Sequence, residues 1–330
     1  MARMIARRLA AIPLVLLALT AIMFVLNRIS PSDEAKVLLG PNASPAAIAA
    51  ENHRLYLDRP LPIQYVHYVA QLLQGNFGVS LRTHRPVRTD LATYLPATIE
   101  LALFGLAFAL ILATVLALLT TVNWPGSGAV RLVLFAGASA PTFLLALGGI
   151  LLFFSRLHWL PASGETSYFN PPTGPTGFLL IDSLVAGRVP VFFDALRHLI
   201  LPALCIAIIP AVSIGRILRA NLVVGLDSEY ARTARVKGMS ELTILTKHVT
   251  RNSLGAALAM TGLQVGLLLA GVVVIEDVFA WPGIGYYAAQ SIPAGDFPGV
   301  AGVTLVIGLL YVVINAAVDI LQGIADPRIR

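Results

Sequence analysis

The chain has 330 residues, of which 57% are hydrophobic and only 12% charged. A soluble domain carries about 25% charged residues, and half that share leaves too little polar surface to meet water on every side. The net charge of +6 sits beside apolar runs, where lysine and arginine set membrane topology, so it gives no reason to expect a nucleic-acid partner.

A helix needs roughly 20 apolar residues to cross a bilayer. The first run that qualifies is Leu9–Leu26, after Arg3, Arg7 and Arg8. It is longer than the roughly 7–15 apolar residues of a signal peptide, and Asn27-Arg28-Ile29 is a poor cleavage context, so it reads as an uncleaved first span. Residues 28–96 form a long polar segment. Ser44-Pro45 is a helix start, because the hydroxyl caps free N–H groups and proline suits the first helical position. A short helix over Ala46–Leu57 follows, broken by Asp58-Arg59-Pro60-Leu61-Pro62. Gln64–Gln74 reads as an amphipathic helix that ends at Gly75-Asn76-Phe77-Gly78. Two further spans are expected at Ala97–Val122 and Val130–Phe154. Residues 155–198 are rich in proline and glycine and read as a loop. The remaining spans are Leu199–Val224, Leu254–Ile275 and Val300–Leu321. Six spans put both termini on one side. Lysine and arginine are denser in the short segments on that side, which makes it cytoplasmic. Residues 28–96 and 155–198 then lie outside, where they either dock a partner or only cap the spans.

Between the fourth and fifth spans the chain reads Leu226-Asp227-Ser228-Glu229-Tyr230-Ala231-Arg232-Thr233-Ala234-Arg235-Val236-Lys237-Gly238-Met239-Ser240. Asp227 or Ser228 can cap a helix, Glu229 suits its positive end, and Arg235 and Lys237 suit its negative end. Gly238 is a natural stop. The result is a helix of about ten residues, too short to span. Ala231 and Ala234 share one face, where small side chains would let a partner approach. The alternative is a solvated basic loop that only fixes topology.

Catalytic patterns are missing. No lysine follows a glycine as a phosphate-cradling G-x-x-x-x-G-K-[ST] loop requires, no H-E-x-x-H occurs, and the histidines stand apart, so no metal site is expected. Cys205 is the one cysteine, too few for an internal disulfide. Glu100, Glu276, Asp277 and Asp319 fall near span ends. Inside the spans the main polar residues are Gln264 and Asn315, which either bond a neighbouring helix or line a transport path. Gly262-Leu263-Gln264-Val265-Gly266 permits close helix packing, within the chain or against a second subunit.

The segment at Glu229–Gly238 resembles the coupling loop of ABC importer permeases, the E-A-A-x-x-x-G region, in the variant typical of the dipeptide, oligopeptide and nickel permease family. The likeness runs along nearly the whole chain: Leu39-Gly40-Pro41-Asn42-Ala43-Ser44-Pro45, Asp58-Arg59-Pro60-Leu61-Pro62, Trp159-Leu160-Pro161-Ala162-Ser163-Gly164, Arg197-His198-Leu199-Ile200-Leu201-Pro202, Glu276-Asp277-Val278-Phe279-Ala280-Trp281-Pro282-Gly283-Ile284-Gly285 and Asp326-Pro327-Arg328. Departures fall at Pro31–Ala35, at Gly75-Asn76-Phe77-Gly78 and in the added stretch Asn170–Phe178.

The resemblance implies an all-α integral membrane protein with six transmembrane helices, the ABC importer permease fold and a short cytoplasmic coupling helix. Residues 1–27 would be the cytoplasmic N-terminus and first span, 28–96 an extracytoplasmic segment, and 97–330 a five-span core with an outer loop at 155–198 and the coupling loop at 225–252. The expected function is the permease subunit of an ATP-driven importer in a prokaryotic plasma membrane, its substrate a short peptide or else a nickel chelate or other small solute. Glu229, Tyr230, Ala231, Thr233, Ala234, Lys237, Gly238 and Met239 would meet ATPase subunits. The expected partners are a second homologous permease, two cytoplasmic ATPase subunits or a fused pair, an extracytoplasmic substrate-binding protein and membrane lipid. ATP and Mg would be bound by the partners, with no cofactor in this chain. A channel or secondary carrier working without ATP is the alternative of another class, and it lacks the charged groups at mid-span that ion coupling uses.

Overall fold

The computed structural model describes residues 2–29, 39–40, 42–121, 126–129, 132 and 139–325, with side chains from residue 13 onward apart from 319 and 321–325. The expected motif at Pro31–Ala35, most of the first part of the expected span Val130–Phe154 and the end at Asp326–Arg330 lie outside the described residues. Regular structure among the described residues is helical, with one isolated antiparallel bridge between Val79 and Pro86.

The helices in chain order are α1 Ala2–Ile29, α2 Pro45–Arg54, α3 Leu61–Leu73, α4 Val87–Thr121, α5 Thr142–Arg156, α6 Leu179–Val185, α7 Val189–Leu226, α8 Glu229–Val236, α9 Glu241–Val278, α10 Ile284–Ser291 and α11 Phe297–Ala325. Among the described residues, four stretches are long and apolar enough to cross a membrane: Val87–Thr121, Val189–Leu226, Glu241–Val278 and Phe297–Val318. Shorter apolar helices cover Pro13–Ile29 and Thr142–Arg156.

Local chemistry explains most boundaries. The Ser44 hydroxyl accepts the Ala47 N–H at 3.2 Å, and Pro45 opens α2 as expected. α4 begins at Val87, ten residues before the expected Ala97. Its first turns carry Arg88 and Asp90, and Pro96 lies inside the helix. The helix continues because Val87 and Leu91 are buried and hold its start in place. Residues 155–198 are likewise not loop throughout: α6 forms there, and α7 starts at Val189.

The contacts divide the chain into two compact units. The first is built mainly from Pro96–Pro282. α7 is its centre, with 72% of its most apolar stretch buried against 28% for α4 and 39% for α9. α4 meets α7 along a ridge spaced every fourth residue: Leu101, Gly105, Ala109, Ala113 and Ala117 are buried. A Cβ on Gly105 would run into the Ile206 side chain, and one on Gly215 would stand 3.1 Å from the Ala113 carbonyl oxygen. Small residues thus let two backbones approach where lipid offers no hydrophobic drive for association. The opposite face of α4 exposes Leu103, Ile111, Val115 and Leu119, as a lipid-facing stripe requires. Arg219 Nε donates to the Thr120 carbonyl at 3.0 Å and meets one of the acceptors left open at the end of α4.

Carboxylates fix residues 157–178. Asp194 Oδ2 accepts the Thr166 hydroxyl and the Ser167 N–H, both at 2.6 Å. Asp182 accepts the Thr176 hydroxyl at 2.7 Å and the Gly177 N–H at 2.9 Å. Desolvation pushes Asp182 up, but these donors outweigh it and hold the carboxyl below its usual range. Glu165 lies half-buried between these anchors, and burial followed by the charge of Glu100 raises its carboxyl to about 8.

The second unit comprises Ala6–Leu95 and Gly283–Leu310. Its core joins Val87 and Leu91 to Ile284, Tyr287 and Val303. Tyr94 stacks on Tyr287 with ring centroids 5.4 Å apart. Buried Asp296 accepts from the Ser80 hydroxyl at 2.5 Å, the Leu81 N–H at 3.0 Å and the Gly299 N–H at 3.2 Å, which ties residues 80–81 to the start of α11.

Candidate functional site

α8 is the most distinct feature outside the long apolar helices. Ser228 occupies the N-cap position with extended backbone, yet its hydroxyl donates back to the Gly225 carbonyl instead of accepting from the first turn. The chain is tight at this corner. A Cβ on Gly225 would lie 2.5 Å from Val249 Cγ1 and 2.9 Å from the Tyr230 hydroxyl. The eight residues from Glu229 to Val236 are helical. Within the helix Arg232 pairs with Glu229 at 3.0 Å, and the Thr233 hydroxyl donates to the Glu229 carbonyl at 2.9 Å.

The C-terminus ends as the sequence suggests. Gly238 has φ +77°, its N–H donates to the Arg235 carbonyl at 2.9 Å, and the Met239 N–H reaches back to the Ala234 carbonyl at 3.2 Å. This is a Schellman motif, whose left-handed residue favours glycine. Ser240 then caps α9 by accepting the Thr243 N–H at 3.3 Å.

Arg235 joins three segments. Its Nε and Nη2 donate to the two carboxylate oxygens of Glu241 at 2.5 and 3.1 Å, while Nη1 donates to the Leu226 carbonyl at 3.0 Å. One guanidinium therefore clamps the end of α7, α8 and the start of α9 together. In sequence Arg235 reads as a partner of the helix dipole, and the clue to the clamp is Glu241, six residues on and just across the glycine turn.

The alanine face turns toward the chain itself. Ala231 is 0% and Ala234 8% exposed. Both pack into a cluster with Leu218 and Leu222 of α7 and Ile244, Leu245 and Val249 of α9, with Met239 at its edge. They hold α8 against its own chain. A helix of eight residues is marginal without tertiary contact, and its least bulky face supplies that contact here. The surface left open carries Glu229, Tyr230, Arg232, Thr233, Val236 and Lys237, and Val236 is 90% exposed.

α9 passes from this cluster through π-helical turns at Ile244–Val249 into its long apolar part. There Gln264 is 6% exposed and its Oε1 has no hydrogen-bond partner among the described residues. Asn315 Nδ2 donates to the Tyr311 carbonyl one turn back at 2.9 Å. Gly266 of the G-x-x-x-G makes its close approach within the chain, since a Cβ there would stand 2.8 Å from the Tyr311 ring.

Residues 105–330 match the family described as binding-protein-dependent transport system inner membrane component, and residues 1–102 match the N-terminal region of such membrane components. The chain is 40% identical over 320 residues to a probable D,D-dipeptide transport system permease protein of Escherichia coli (strain K12), covering 96% of this chain and 94% of that one. It is 41% identical over 330 residues to a di/tripeptide transport system permease protein of Pseudomonas aeruginosa (strain UCBPP-PA14), covering 99% and 98%. A dipeptide transport system permease protein of Alkalihalophilus pseudofirmus shares 36% over 327 residues, covering 98% of each chain.

Proposed function

We propose a function from one premise: this chain belongs to the family of binding-protein-dependent transport system inner membrane components. Members are multi-pass membrane permeases, not enzymes, and this chain's apolar helices agree with that class. In our reading it imports short peptides, the cargo in the names of the relatives above. It forms the path with a second permease and is driven by two ATPase subunits, separate or fused, that bind ATP and Mg. A binding protein delivers the peptide from outside.

The proposed topology has six spans, with residues 1–27 and the turn at 225–252 on the cytoplasmic side and residues 28–96 and 155–198 outside. The single observation that carries the coupling role is the clamp at Arg235. Because Arg235 and the buried alanines bind α8 to the ends of both α7 and α9, a push on the open face of α8 must move those two helix ends together. Glu229, Tyr230, Thr233, Val236 and Lys237 form the contact face in this proposal. Ala231, Ala234, Gly238 and Met239 hold it in shape. Gln264 is the proposed polar contact along the path, because its unmet Oε1 can accept a peptide N–H. Asn315, already bonded to its own helix, has the weaker claim.

The test uses the reconstituted transporter. Val236→Asp puts a charge on the open face and leaves the clamp intact. It should insert normally, yet lose ATPase recruitment and dipeptide uptake together. Unchanged recruitment and uptake would overturn the proposed contact face.

A further inference from the structure

Within the second unit, α1, α3 and the start of α11 enclose a cavity of about 320 Å³. Its walls are of three kinds. Phe24, Leu72 and Phe297 make an apolar floor, while Arg28 and Arg54 bring positive charge. The Arg28 guanidinium lies over the Phe24 ring, 5.3 Å from its centroid, which keeps the cation beside the apolar wall. Arg54 is held on α2 by Glu51 at 3.4 Å. The third wall is Gln64, only 7% exposed. Its Nε2 donates to the Leu57 carbonyl at 3.0 Å and to the Arg59 carbonyl, while its Oε1 has no partner among the described residues. A buried acceptor left unmet is unfavourable unless a donor reaches it. An occupant that suits all three walls carries an anionic group, a hydroxyl or N–H donor, and an apolar tail.

The depth of the cavity narrows the choice. Leu19 of α1 packs where Gly308 of α11 has no side chain, and Phe24 and Arg28 line the cavity beside Phe297 and Pro298, so the two helices run antiparallel. The end of α1 and the start of α11 therefore reach the same bilayer surface, and the cavity lies there. α3 exposes Ile63, Val66 and Leu73 along one face, the pattern of a helix lying in the interface with its apolar side toward acyl chains. The opening is thus at headgroup depth.

We propose that this cavity binds an anionic phospholipid with a hydroxylated headgroup, of the phosphatidylglycerol type. The phosphate meets Arg28 and Arg54, a headgroup hydroxyl donates to Gln64 Oε1, and an acyl chain lies along Phe24 and Phe297. Phosphatidylcholine has no headgroup donor and brings a cation that the arginines oppose.

The test is lipid retention by the full-length chain, purified in detergent and read by native mass spectrometry after mixing with phosphatidylglycerol or phosphatidylcholine. The wild type should hold phosphatidylglycerol about tenfold more tightly, the size expected for charge-assisted hydrogen bonds at a partly open site. Arg28→Gln with Arg54→Gln should erase the preference, Arg28→Lys with Arg54→Lys should keep most of it, and Arg156→Gln should leave it unchanged. Gln64→Leu should weaken phosphatidylglycerol binding without affecting phosphatidylcholine. Equal retention of the two lipids by the wild type, or full preference in the double glutamine variant, would sink the proposal. Displacement of phosphatidylglycerol by dialanine would also sink it and give the cavity to peptide. None of these readouts needs the ATPase partners, so the result stands apart from the coupling reading.

Discussion

Two polar segments interrupt the long helices of the first unit, residues 227–243 and residues 157–178, and charges of opposite sign hold them. In the first, Arg235 donates to Glu241 and to the Leu226 carbonyl. In the second, Asp182 and Asp194 accept from threonine hydroxyls and backbone N–H groups. The difference follows from what each segment must satisfy. A helix ending at a turn leaves carbonyls without donors, and an arginine supplies several donors at once. A proline- and glycine-rich loop leaves N–H groups without acceptors, and a carboxylate supplies them. The arginine turn adds a buried alanine face beneath it, whereas the other loop buries Glu165 beside Glu100. One segment is braced by a cation over small buried side chains, and the other by carboxylates around a buried glutamate.

The largest expected effect would break the first half of this contrast. Ala234→Glu places a charge in the cluster under α8, at a cost of about 3 kcal/mol or more. Because that face packs on the chain itself, hydrogen exchange across residues 229–239 should rise sharply in the isolated chain, with no partner present. Retained protection would mean that the alanine faces outward after all.

The second prediction sharpens the other half. Glu165 titrates near 8 in the folded chain, against 4.5 for an unperturbed glutamate. A raised carboxyl favours the protonated form, so its contribution to holding the loop is complete below about pH 4.5 and is lost as pH rises toward 8. Exchange in residues 160–170, corrected for intrinsic rates, should accelerate by about tenfold or more between pH 5 and 9. Glu165→Gln should flatten that profile, and an unchanged profile would remove the carboxyl from the account.

The smallest effects compare two helix ends of the same geometry. Gly238 and Ala280 both sit at the left-handed position of a Schellman motif, with φ of +77° and +46°. At the second, the Trp281 N–H donates to the Glu276 carbonyl at 2.8 Å. Gly238→Val should destabilise the turn by about 1–2 kcal/mol through backbone strain alone, since nothing lies within 4 Å of an added Cβ. Ala280→Gly should have the opposite sign, stabilising by about 0.5–1 kcal/mol. Thermal unfolding in detergent would read both, and a destabilised Ala280→Gly would show that the alanine methyl packs usefully.

Local signals made much of this legible in sequence. Apolar runs located the long helices, Ser44-Pro45 located the start of α2, and Gly238 located the end of α8. What stayed hidden depends on contacts between distant residues. The Gly105-Ala109-Ala113-Ala117 ridge passed unnoticed because alanines in an apolar run look like lipid-facing residues until Ile206 and Gly215 are brought against them. The G-x-x-x-G at Gly262–Gly266 was visible as a pattern, but Tyr311 as the neighbour of Gly266 was not. Ala231 and Ala234 were grouped correctly on one face, yet the direction of that face depended on Ile244 and Val249, which lie beyond the turn. Asn315 was singled out as polar within a span, but nothing local says that its amide turns back to Tyr311.

The π-helical turns at Ile244–Val249 have a consequence for the angular phase of α9. Such turns hold more residues per revolution than the α-helix that follows, so they set the azimuth at which Ile244, Leu245 and Val249 meet α8 relative to the azimuth of Gln264 farther along. Deleting one residue from this stretch would let it close as ordinary α-helix with the platform under α8 facing nearly the same way, whereas deleting one residue from the regular helix after Thr250 would turn that platform by about 100° relative to Gln264. In the second case the chain would keep its apolar content and every residue named in the turn, but the platform would face the wrong way, like a gear reassembled one tooth out.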